Sequence, residues 1–193
     1  MIQIPQLEIT CGSCDCANGL HAFNSPTRAY RRRGQGRNFL EPGVCKACGA
    51  APVDWRRIHA RRREDVAYTF DMMRFEAIRW EFWTRHFNTH ALEDARRRGM
   101  GQVLADVKPN LARIVGPVGT HKYSFMQVPT QQGKMRTVIQ YAQHAVAACC
   151  RKCIEEWHGI PNDHDLSDAE LDYLSFLAQE YLKDRLSRVS DVH

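Results

Sequence analysis

Two Cys-x-x-Cys knuckles, Cys11-Gly-Ser-Cys14 and Cys45-Lys-Ala-Cys48-Gly49, stand near the start of the chain with 30 residues between them. Two residues between thiolates let the backbone curl around a single ion, and Gly12 and Gly49 ease that turn. Four thiolates at about 2.3 Å from one ion make the closed tetrahedron that structural zinc prefers. The leading residues, Met1 to Glu8, lack the basic-then-apolar pattern of a secretory signal, so metal ligation is expected over a disulfide framework. The expected ligands are Cys11, Cys14, Cys45 and Cys48, with Cys16 as a substitute for Cys14 or as a free thiol. A closed site leaves no open coordination position, so this zinc is expected to organise the fold without doing chemistry. The long bridge between the knuckles carries Asn24-Ser-Pro-Thr, Gly34-Gln-Gly36 and Pro42-Gly43, as a loop or hairpin would.

The charge is unevenly spread. Lys and Arg exceed Asp and Glu by only five over 193 residues. Yet Arg28 to Arg63 alone carries eleven basic residues against two acidic ones, a local charge of +9, while residues 154–193 come to −7. Such asymmetry points to a polyanion-facing end and a solvated or protein-facing end. Arg28, Arg31, Arg32, Arg33, Arg37, Arg56, Arg57, Arg61, Arg62 and Arg63 are the candidates for phosphate contacts, DNA and RNA being equally compatible. Tyr30 and Phe39 are placed either to stack on bases or to form the small core that such a module needs.

The third cysteine group, Cys149, Cys150 and Cys153, reads two ways. Val146, Cys149, Cys150, Cys153, Ile154 and Trp157 fall on one helical face, where free cysteines pack as small hydrophobes. Alternatively His144 and His158 join Cys150 and Cys153 in a metal or nucleophile site, with a second ion. On an ideal helix, at about 100° per residue, each histidine lies more than about 100° from its nearest cysteine in sequence. They can join only if the helix starts after His144 and stops before His158; Gly159-Ile-Pro161 is a helix stop directly after His158, which weakens that objection without removing it.

Periodicity divides the chain into a basic zinc-ribbon-like module, 1–60, and a helical domain, 61–193, holding the Cys-Cys-x-x-Cys helix. A helix is predicted from Asp65 to Phe87, a short basic one from Ala91 to Arg98 ended by Gly99, and helical turns around Pro109. His121 to Val128 and Lys134 to Tyr141 alternate like strands about a Pro129–Gly133 loop. The cysteine helix follows from about Ala145, and Ser167-Asp-Ala-Glu170 caps the last helix. The fold class expected is α+β, mainly helical, with a small β-hairpin packed on helices.

The run Gln140-Tyr-Ala-Gln-His144, continuing through Cys149-Cys150-Arg-Lys-Cys153-Ile to Trp157-His158-Gly-Ile-Pro161, resembles a small domain family of unknown function found in bacteria and phages. Its signature is Ala-Gln-His…Cys-Cys-Arg-x-Cys-Leu…Trp-His-x-Ile-Pro, and the resemblance spans about residues 95–182. Val146 and Ala148 stand where the family usually carries threonines. The resemblance implies a domain without lending it an activity.

The function expected is nucleic-acid binding by an Arg-rich surface beside one structural zinc, in a phage or mobile-element setting. The alternative is a metal-dependent, nuclease-like enzyme around His144, Cys149, Cys150, Cys153 and His158. The acidic end offers a surface for a protein partner. A zinc deaminase is excluded, because His144-Ala-Val146 lacks the glutamate that moves protons. No Gly-rich phosphate loop or Gly-x-Ser-x-Gly elbow occurs. No apolar run approaches the ~18 residues of a membrane span, and a cytoplasmic protein is expected.

Overall fold

The computed structural model describes residue 9 and residues 12–27, 41–119 and 135–190. Local capping chemistry sets several helix starts. The Asp54 side chain accepts from the Arg57 amide ahead of α1 (Trp55–His59), and Asn88 accepts from the Ala91 amide at 2.8 Å ahead of α4 (Thr89–Arg98). Gly99, at φ +76°, ends α4 where expected. Two short helices follow, α5 (Met100–Ala105) and α6 (Val107–Val115), with Pro109 in the first turn of α6. At the far end Ser167 and Glu170 form the expected capping box, and α9 (Asp168–Ser190) buries Leu171, Leu174, Leu177, Ala178, Tyr181 and Leu182.

The expected helix from Asp65 to Phe87 is divided. A 3-10 turn at Arg63–Asp65 leads into α2 (Val66–Met73), and α3 (Ala77–Thr84) follows after Glu76 in extended geometry. The break has a partner: the His21 amide donates to the Phe75 carbonyl at 2.7 Å, and the Ala77 amide donates to the His21 carbonyl at 3.0 Å. A segment from the cysteine module therefore takes over backbone groups that a continuous helix would use.

The β-hairpin is a correction. Residues 121–133 lie outside the described residues, but the second expected strand is helical from Val138 onward, as α7 (Val138–Ala145). The apolar positions Val138, Tyr141, Ala142 and Ala145 satisfy a helical period as well as alternation satisfies a strand. The capping box between Thr137 and Gln140 decides between them. The described residues hold no extended strand, only isolated bridges at Asp15–Leu20, His21–Glu76 and Phe23–Cys45.

The cysteine helix is a second correction. It does not run on from Ala145: residues 146–150 form a buried turn, with Ala147 at φ +54°, before α8 (Arg151–His158) begins. Cys150 is the residue ahead of α8, and its Sγ accepts from the Cys153 amide at 3.5 Å. Cys149 and Cys150 thus sit on the turn rather than on a helical stripe. Gly159 at φ +62° ends α8, as the Gly-Ile-Pro sequence predicts.

Helix α9 packs on α6 and α7, α3 packs on α7, and α1 lies on α8. Aromatic contacts tie the layers: Tyr181 donates to the Phe82 carbonyl at 2.6 Å, and Trp83 meets the Tyr181 ring edge-on at 4.8 Å. The N-terminal residues share this core. Phe23 stands edge-on to both Trp55 and Trp157, whose own centroids are 4.9 Å apart. Gly43 makes that seat possible: at φ +75°, its added Cβ would stand 2.3 Å from Trp55 Nε1, which donates to the Gly43 carbonyl. Gly43→Ala is expected to cost about 1–3 kcal/mol through this overlap. Thermal unfolding would show it, and an unchanged midpoint would contradict the packing described.

Candidate metal centres

The first centre grows out of two reverse turns. Asp15 and Leu20 exchange backbone hydrogen bonds around a 3-10 turn at Cys16–Asn18, with Gly19 at φ +74° closing it. This returns His21 alongside Cys16. On the other arm, the Cys45 amide donates to the Ala50 carbonyl, and Gly49, at φ +75°, donates back to Cys45. The Phe23–Cys45 bridge joins the arms. The result gathers Cys16, His21, Cys45 and Cys48, with all four ligand atoms within 4.8 Å of one another. Cys16 Sγ is 3.7 Å from Cys45 Sγ, and Cys48 Sγ is 3.6 Å from His21 Nδ1. Ligands on a tetrahedron with ~2.3 Å metal–sulfur bonds stand about 3.8 Å apart, so the group has the dimensions of a metal site.

Of the expected ligands, Cys45 and Cys48 are in the group, Cys14 is exposed and hydrogen-bonds with Cys16, and Cys11 lies outside the described residues. Cys16 enters as the substitute that the spacing allowed. His21 was missed. Its signal, Cys16-x-x-x-x-His21, is weak because such spacing is common by chance.

The electrostatics suit a cation. Burial pushes the Cys45 thiol up, but backbone hydrogen bonds at Cys48, Ala22 and Ala47, together with His21, bring it down to about 6. The Cys16 thiol is held well above its ordinary value, first by burial and then by the neighbouring thiols. Crowded sulfurs cannot all ionise without a positive ion among them.

The second group is Cys149, Cys150 and Cys153, all buried, with Sγ atoms within 4.8 Å of one another. A fully buried arginine from α3 faces it: Arg79 Nη2 donates to Cys153 Sγ at 3.0 Å and Nη1 approaches Cys149 Sγ at 3.8 Å. Nη1 also donates to the His144 carbonyl at 2.6 Å, while Nε donates to Glu76 Oε2 at 3.0 Å. That same carboxylate oxygen accepts from Trp157 Nε1 at 2.6 Å. Arg79 was missed because nothing adjacent to it in the sequence marks a guanidinium that will be placed in the core.

The two candidate histidines do not belong to this thiol group. His144 stacks on Phe82, with centroids 4.6 Å apart. His158 donates from Nε2 to the Val146 carbonyl at 2.9 Å and meets the edge of Tyr173. Burial holds His158 down at about 3, so its ring is neutral and acts as a staple on the turn.

The candidate arginines part company. Arg28, Arg31, Arg32, Arg33 and Arg37 lie outside the described residues. Arg56, Arg57, Arg62 and Arg63 are exposed, and of these Arg57 binds Asp65 and lies over the Tyr68 ring at 4.0 Å. Arg61 pairs with Glu170 at 3.7 Å, and Arg63 lies over Phe176. The acidic end is partly satisfied within the chain: Lys108 pairs with Asp168 and Asp172.

A family model described as a domain of unknown function, DUF4186, matches residues 67–183, more than half of the chain. The chain belongs to the DUF4186 family. No solved structure matches it. The DUF4186 region opens inside α2 and ends in α9, so it takes in Glu76, Arg79 and the second thiol group. The first metal group, at residues 16–48, lies before it. No helix among the described residues is long and apolar enough to cross a membrane.

Proposed function

We propose that this DUF4186 protein is a zinc-stabilised nucleic-acid-binding protein, with residues 1–60 as the metal-bearing module and 61–193 as the helical domain. Zinc on Cys16, His21, Cys45 and Cys48 holds a rigid platform in the cytoplasm, where thiols stay reduced. The observation that carries the binding half is Trp80, an indole left 42% exposed directly beside that platform. A cavity of about 340 Å³ is lined by Asn18, Gly19 and Leu20 of the knuckle turn and by Asp71, Arg74, Phe75 and Trp80 of the helices. An exposed indole offers a stacking face for a single-stranded base, worth about 1–3 kcal/mol per base. Asp71 is engaged by Arg74 at 2.7 Å, so phosphate contacts fall to the exposed Arg56 and Arg62 and to the basic run 28–37.

The test is salt-titrated binding of single-stranded and duplex DNA and RNA oligonucleotides. Trp80→Ala is expected to weaken single-strand binding about 5- to 100-fold with the salt slope kept. Replacing Arg31, Arg32 and Arg33 with alanine is expected to flatten that slope by about 0.7 for each phosphate no longer neutralised. Binding that ignores salt, or no binding at all, overturns the reading.

The enzyme alternative around His144, Cys149, Cys150, Cys153 and His158 has one observation in its favour, the gathering of the three thiols. Against it, those thiols are buried and both histidines are engaged in packing.

A further inference from the structure

We infer that Cys149, Cys150 and Cys153 form a second, buried metal centre for a soft, thiolate-preferring cation, zinc(II) or copper(I), with Arg79 as its positioning residue. This inference is independent of nucleic-acid binding.

Loops seldom run through a protein interior, because their amides and carbonyls must find partners there. Residues 146–150 do so, with Ala147 in the left-handed region, at a cost on the order of 1 kcal/mol. Two side chains satisfy carbonyls where the path begins: His158 donates to Val146, and Arg79 to His144 in the last turn of α7. The outcome of this unfavourable path is to lift Cys149 and Cys150 off the helical line and turn their thiols toward Cys153.

Arg79 also aims donors at sulfur, reaching Cys153 at 3.0 Å and Cys149 at 3.8 Å. A neutral thiol is a weak acceptor and gives a fully buried guanidinium little in return. A thiolate is a strong acceptor. Three thiolates within 4.8 Å, however, repel one another too strongly to share a dry site without a cation. A metal ion resolves both difficulties. It displaces the thiol protons to solvent and turns the sulfurs into anionic acceptors. With a divalent ion, three thiolates leave one net negative charge, which faces the guanidinium. Hydrogen bonds from a fixed outer group onto ligating atoms are how proteins orient and tune metal sites. Three soft sulfurs in a buried setting select zinc(II) or copper(I) over magnesium or calcium.

The experiment uses the full chain, purified under reductant and loaded separately with zinc(II) and copper(I), with stoichiometry read by native mass spectrometry. Two ions per chain are expected in at least one of these loadings. Fragmenting the loaded wild-type chain should place one ion on the segment 138–158, a reading that needs no variant. Cys153→Ser is expected to lose that ion and keep the knuckle's, while Cys16→Ser does the reverse. Arg79→Lys should retain the ion with affinity reduced about 10- to 100-fold. One ion per chain in both loadings, both ions on the N-terminal fragment, or a Cys150–Cys153 disulfide in place of metal overturns the inference.

Discussion

Replacing Glu76 with alanine is expected to destabilise the fold by about 3–5 kcal/mol, the range for removing one partner of a buried ion pair. The carboxylate is buried and serves two donors through one oxygen, Arg79 Nε at 3.0 Å and Trp157 Nε1 at 2.6 Å. Alanine would deprive an enclosed guanidinium of this counter-charge and a buried indole N–H of this acceptor. The effect comes mostly from what is stranded, not from the pair's own net attraction. Glu76→Gln separates these contributions. Its amide oxygen can still accept from both donors, so it should cost less than alanine, and the remainder measures the missing charge. Urea denaturation of the three proteins checks this, and a loss under about 1 kcal/mol for alanine contradicts the network as described.

Cys45→Ser is expected to release the N-terminal metal and to unseat the module that carries it. Structural zinc contributes an apparent ~10–16 kcal/mol in small peptide modules, so losing one of four ligands outweighs the packing that remains there. Cys45 also occupies a central place in the backbone, bridging Phe23 and accepting from the Gly49 amide. When it fails, Phe23 leaves its position against Trp55 and Trp157. Two signatures should appear together: altered tryptophan fluorescence and rapid proteolysis within residues 12–53. A chelator should reproduce both in the wild-type chain. Acid should also do so, because protonated cysteine and histidine no longer bind metal. A chelated protein that melts and digests like the untreated one would refute a structural metal.

Much of the helical outline was legible wherever a side chain closes a helix end. Ser167, Gly99 and Gly159 act locally, and their effects are visible in the sequence itself. The expected strand that folds as α7 turned on a local signal passed over, the capping box of Thr137 and Gln140, but the other failures share another cause, partners distant along the chain. Nothing near residue 75 announces that His21 will occupy its carbonyl, so α2 and α3 looked like one helix. Ala147 gives no hint of a positive φ, and the side chains that bond the carbonyls ahead of it, Arg79 and His158, come from elsewhere. The cysteine stripe therefore read as continuous. For the candidate metal centre, the Cys45 and Cys48 knuckle was evident, while His21 needed the folded turn at Cys16–Asn18 to come within reach of the thiols.

The aromatic seat beneath the knuckle has a consequence for the order of assembly. A chain emerging from the ribosome presents its cysteine arms long before Trp157 exists. Glu76 must likewise wait for an indole 81 residues further on. The backbone bonds of the two turns can therefore close the arms, but not anchor them, until α8 has been synthesised. During that interval Phe23 and Trp55 remain uncovered, the kind of transient apolar exposure that invites aggregation or chaperone contact. Completion of the C-terminal half converts a loosely tethered cysteine turn into an integral part of the core.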